Sequence, residues 1–187
     1  MKRILTGVVT LLLLSPGCAG GLNVAFGQNR QEGDAVSAIR RRYAAINRNL
    51  PKYRAVKKEL SGYSTEGGEL VAYFEGAAVV KIAATHLGET GRSFEELYYH
   101  EGKLIFVFRR LETYDEPMSG RVSKTAEDRF YFNGGRLIRW LDRRGRAVAQ
   151  GGDEYLEEQA RYLDNSRRFV EGARSRKPTI EAPEPAP

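Results

Sequence analysis

Along one stretch of the chain, apolar residues return every three or four positions: Val36, Ile39, Tyr43, Ile46 and Leu50. That rhythm places them on one face of a helix, and it predicts a helix over 34–49 with Asp34 as its N-cap. Pro51 disfavours helical geometry at Leu50 and closes it. Arg40, Arg41, Arg42 and Arg48 fall off the stripe and are expected to face solvent or a partner. The segment from Tyr53 to Leu60 fits a second helix or an edge strand equally well.

From Glu69 the rhythm shortens to aromatic and β-branched runs separated by glycine. The runs are Glu69 to Glu75, Ala78 to Leu87, Arg92 to His100, Lys103 to Glu112, Arg121 to Phe132, Arg136 to Asp142 and a short Arg146 to Ala149. Asn133-Gly134 suits a tight turn with positive φ, and Glu101-Gly102, Gly88 to Gly91 and Asp142 to Gly145 are further turns. Connections this short join antiparallel neighbours. In Leu104, Phe106 and Phe108 one face reads as apolar, while Ile105 and Val107 make the other partly so. One sheet face is therefore expected to be covered, and part of the second.

A second helical stripe follows Gly152-Asp153, where Tyr155, Tyr162 and Phe169 repeat beside Leu156, Leu163 and Val170, and the helix is expected to end near Gly172. The fold class predicted is α+β: an antiparallel β-meander of about six to seven strands flanked by an N-terminal and a C-terminal amphipathic helix. The domain is expected to span 28–172, and 173–187, with Pro178, Pro183, Pro185 and Pro187, to be a disordered tail.

Tyr98 to Ile105 and Tyr131 to Ile138 resemble each other around their turns, with a weaker echo in Tyr73-Phe74-Glu75-Gly76. An aromatic pair, a turn and a glycine are also how ordinary hairpins are built, so the echo names no family.

The N-terminus adds a compartment. Lys2 and Arg3 precede the apolar run Ile4 to Leu14, which is shorter than the ~20 residues a membrane span needs and reads as a signal peptide over 1–27. Cleavage after Ala19, or after Gly27 to leave Gln28 first, competes with lipidation. Leu14 to Gly21 resembles a bacterial lipoprotein signal, with Pro16 inserted, and implies acylation of Cys18. Cys18 is the only cysteine, so no intrachain disulfide can form and the fold must rest on burial. The expected location is the periplasm or exterior, with a lipid anchor as the alternative, and no later run is long enough to span a bilayer.

Charge is uneven. Arg30 to Glu59 holds nine basic and three acidic residues, whereas Leu60 to Gly151 holds thirteen of each. Arg40, Arg41, Arg42 and Arg48 are therefore candidates for contact with an anionic envelope surface, against the plainer reading of a solvated helix face.

Catalytic chemistry is not legible. His86 and His100 stand apart from convergent metal ligands, neighbouring acids such as Glu95-Glu96 split across the two faces of a strand, and no nucleophile or phosphate-loop motif occurs. No catalytic, metal or cofactor site is assigned. Nucleic acid is not the expected partner, because the strand region is charge-balanced. The reading that remains is an exported soluble or membrane-anchored binding or interaction module of unknown specificity, its partner an unknown protein or an apolar ligand; a carrier of an apolar ligand in a cleft of the curved sheet and an envelope hydrolase with dispersed residues are the alternatives. Asp115, Glu116, Pro117 and Met118, in the longest interruption of the meander, are candidates for partner contact.

Overall fold

A computed structural model describes residues 21–184 of the chain. The elements in order are α1 (Gly21–Asn49), a short 3₁₀ turn (Leu50–Lys52), β1 (Arg54–Ser61), β2 (Gly68–Glu75), β3 (Ala78–Gly88), β4 (Gly91–His100), β5 (Lys103–Tyr114), β6 (Val122–Asn133), β7 (Arg136–Leu141), α2 (Asp153–Arg174) and β8 (Thr179–Glu181). The strands form one eight-stranded sheet in the order β7-β6-β5-β4-β3-β2-β1-β8. Seven make the antiparallel meander, and β8 returns parallel to β1. The α+β class and the flanking helices are as the sequence predicts.

Each helix takes a different face. Tyr155, Tyr162, Phe169 and Ala173 of α2 pack on Leu70, Ile82, Leu97, Val107, Phe130 and Trp140. Val36, Ile39 and Ile46 of α1 pack on Val80, Tyr98, Phe106 and Tyr131 of the opposite face. Two cores thus share one sheet.

Several expectations are corrected. Asp34 lies inside α1 and does not cap it. Tyr53 to Leu60 resolves into β1, because its Val56, Lys58 and Leu60 alternate towards α2. Arg146 to Ala149 contributes only one bridge, Leu141 to Ala147. Helix α2 does end near Gly172, at Arg174. The tail is not disordered throughout: β8 pairs with β1 through Glu59, Leu60 and Ser61, and Ile180 is buried. Burial of one isoleucine and a strand edge outweigh the prolines around them. Buried Lys58 fixes the crossing, donating from Nζ to the carbonyl oxygens of Ser175, the C-cap of α2 (2.9 Å), and of Lys177 in the connection to β8.

The faint repeat has a structural basis. Three hairpins at one end of the sheet pair Phe74 with Val79, Tyr99 with Leu104 and Phe132 with Leu137, then Tyr73 with Lys81, Tyr98 with Phe106 and Tyr131 with Arg139. In each, one extra residue is accommodated on the returning strand: Val80, Ile105 and Ile138. Such a bulge turns two successive side chains to one face. It corrects the simple alternation, because Leu104 belongs to the α2 core while Phe106 belongs to the α1 core. The turn residues shift as well, with positive φ at Gly134 and Gly135 rather than at Asn133.

Candidate functional site

Helix α1 crosses the sheet obliquely. Glu32, towards the middle of α1, receives Arg139 Nε of β7 (2.9 Å), and Asn47 near its end meets Lys81 Nζ of β3 (3.2 Å). Among its residues 30–49, Val36, Ile39 and Ile46 are the buried ones, so the flanks of this part stand above the sheet and leave a groove on either side.

The first groove, about 530 Å³, is floored by Phe106, Phe108 and Tyr131 and walled by Ile39, Tyr43 and Leu141. The rings are already in contact: Tyr43 lies 5.4 Å from Phe106 and 4.8 Å from Tyr98, and Phe106 lies 4.9 Å from Tyr131. Tyr43 nevertheless remains 37% exposed. Cations edge this floor. Arg40 sits over Tyr131 (5.7 Å) and Arg129 over Phe108 (5.3 Å), the latter also bonded to Glu127 (2.8 Å). The second groove, about 450 Å³, is lined from α1 by Ala35, Ala38, Arg41, Arg42 and Ala45 and from the hairpins by His100, Ile105 and Asn133.

The four arginines singled out in the sequence are thereby separated. Arg40 belongs to the aromatic groove, Arg41 and Arg42 to the other, and Arg48 lines neither. At the C-terminal end of α1 the floor is closed by a polar knot: buried Lys81 donates to Glu96 (2.7 Å), and Tyr98 Oη donates to the other oxygen of Glu96 (2.6 Å). Burial and the neighbouring carboxylate push the Tyr98 phenol far above its ordinary range, so it stays a neutral donor.

On the opposite face a chain of charges runs beneath α2. Trp140 Nε1 donates to Asp128 (3.2 Å), Arg109 bridges Asp128 (3.0 Å) and Glu158 (2.6 Å), and Arg161 bridges Glu158 (2.7 Å) and Glu95 (3.0 Å). Glu95 and Glu96 do point to opposite faces. His86 Nε2 stands 3.7 Å from Glu95 Oε2, an ion-pair distance that leaves this oxygen without a hydrogen bond. Burial raises the Glu95 carboxyl, and the His86 ring and Arg161 guanidinium lower it by more, to about 2. Nothing in the spacing of these residues announces the chain, because five strands and helices must converge to assemble it.

His86 also borders a shallow depression with Ser64, Thr65 and Ser93. Its Nδ1 is buried without a partner, and its Nε2 is turned to Glu95. His100 meets Arg42 Nη2 at 2.9 Å instead of joining a ligand cluster. Among the described residues no group of three or more His, Cys, Asp or Glu is placed to hold a metal ion, and no helix is long and apolar enough to cross a membrane.

The segment from Asp115 to Gly120 lies at the far end of β5, away from both grooves. Asp115 accepts from the Glu116 N–H (2.8 Å), Ser119 Oγ (2.6 Å) and Arg121 Nε (2.8 Å), and the Met118 N–H donates to Glu89 O (2.7 Å). Glu116, Pro117 and Met118 are exposed. Cys18 lies outside the described residues.

No protein-family model, curated protein or solved structure matches the chain.

Proposed function

We propose that this is an exported binding module whose working face is the α1 side of the sheet, where it takes up a largely apolar ligand or ligand segment. The observation that carries the reading is the aromatic groove: Phe106, Phe108 and Tyr131 form its floor, Tyr43 is left part-exposed above them, and about 530 Å³ is open. That volume is in the range of ~300–1,000 Å³ found for small-ligand sites, and tilted, edge-to-face rings with a few polar groups beside them suit an apolar body. The run Ile4 to Leu14 behind Lys2 and Arg3 supports export, and Cys18 supports an envelope anchor.

Fluorescence titration with phenylnaphthylamine, a neutral apolar probe, tests the site. The protein is expected to saturate at one equivalent, and Tyr43→Ala with Phe108→Ala to weaken binding at least tenfold while far-ultraviolet dichroism is unchanged. Equal binding by parent and variant removes the groove from the function.

A hydrolytic reading has one observation behind it, the pairing of His86 with a buried carboxylate beside hydroxyl side chains. The orientation of the ring argues against it. A general base needs a nitrogen within hydrogen-bond reach of the proton it removes, and here one nitrogen is buried and the other faces Glu95.

A further inference from the structure

We infer that the second groove beside α1 is an anion site, built for the phosphate or carboxylate head of an amphipathic small molecule with a single apolar tail. The inference rests on the binding-module reading and adds to it the chemistry of the ligand's polar end.

Charge is the first ground. Arg41 and Arg42 are adjacent in sequence and both line this groove, and none of its lining residues is acidic. Two guanidiniums facing one cavity repel each other, and an anion between them removes that cost. The partner Arg42 has is a neutral lone pair. A guanidinium only donates, so its 2.9 Å contact requires His100 Nε2 to accept, and this bond brings Arg42 no negative charge. Glu101, the carboxylate beside His100, is 82% exposed and comes only to 3.8 Å from Nε2. A planar fork of donors matches phosphate or carboxylate oxygens, and Asn133 at the rim supplies a further polar group.

The walls are the second ground. Beside the arginines the groove is lined by Ala35, Ala38, Ala45, Ile39, Ile105 and Phe132, so an anion bound there would have apolar surface beside it. A free inorganic anion makes no use of that surface; an alkyl or acyl chain buries it, at roughly 0.8 kcal/mol per methylene. A flat membrane presents many headgroups to an exposed surface, whereas here the cations are divided, with Arg40 on the other flank of the helix over Tyr131. A single headgroup entering one groove fits this division better.

Calorimetric titration of the full chain with three probes tests it: decyl phosphate below its micelle concentration, inorganic phosphate, and anionic phospholipid vesicles. Decyl phosphate is expected to bind at one equivalent and at least tenfold more tightly than inorganic phosphate. Arg41→Gln with Arg42→Gln is expected to lower its affinity at least tenfold, and Arg48→Gln to leave it unchanged. Inorganic phosphate binding as tightly as decyl phosphate overturns the amphipath and leaves a plain anion site. Binding to vesicles alone overturns the groove in favour of surface attraction. Unchanged affinity in the double variant overturns the assignment of the arginines. The phenylnaphthylamine titration run on the same double variant separates the two readings: retained binding of the neutral probe leaves the module standing when the anion site fails.

Discussion

Glu95 carries more consequence than its place in an acidic pair suggests. Buried beneath α2, it accepts from Arg161 Nη1 (3.0 Å) and Tyr162 Oη (3.3 Å) and faces His86. Its carboxyl titrates at about 2 in the fold against an ordinary 4.5, so the native state favours the charged form. The stability this contributes is complete above about pH 4.5 and is lost as pH falls towards 2. Glu95→Gln is expected to flatten that part of the acid limb in urea unfolding followed from pH 6 to pH 2. At neutral pH it should cost about 2 kcal/mol, less than the ~3–5 kcal/mol of a fully buried pair because Arg161 reaches solvent. An acid limb identical to the parent's would place the proton uptake elsewhere. Glu101 and Met118 are the non-glycine residues with positive φ among those described. Glu101 occupies in its hairpin the position that Gly134 holds in the homologous turn, which shows why the repeat looked faint: one copy tolerates strain where the other uses glycine.

At the scale of elements, the contact between α2 and β8 depends on the absence of a side chain. A Cβ on Gly172 would come within 2.5 Å of Ile180 Cδ1 and 2.6 Å of its Cγ1. In an exposed helix, glycine to alanine gains about 1 kcal/mol, yet here overpacking of ~1–3 kcal/mol opposes it. Gly172→Ala is therefore expected to destabilise the parent and to stabilise an Ile180→Ala background, a reversal of sign that a double-mutant cycle in urea would read directly. The same sign in both backgrounds would mean that β8 yields without cost. Glycine near the end of a helical stripe reads as a terminator from sequence; here it permits close approach, and only the returning strand tells the two apart. The bulged hairpins teach the same lesson. Leu104 and Phe106 share a parity, yet Ile105 between them shifts one to each core.

For the whole molecule, one sheet with a core on either side cannot lose one helix without exposing aromatic surface on the strands the other core also uses. Tyr98 and Leu97, adjacent on β4, belong to opposite cores. A single cooperative transition is the expected outcome. The fluorescence of the only tryptophan, Trp140 in the α2 core, and far-ultraviolet dichroism should give coincident thermal curves. Two separated midpoints would mean that α1 detaches on its own. The amphipathic stripes, the run of hairpins, the basic segment and the α+β class were all legible in the sequence, because periodicity and turn chemistry act over a few neighbouring residues. Which face each helix takes, the bulges that reassign side chains, the return of β8, the charge chain through Glu95 and the division of Arg40 from Arg41 and Arg42 were settled by tertiary structure alone. Each depends on groups far apart in the chain meeting in space, and local pattern holds no record of which distant surface will be buried against it.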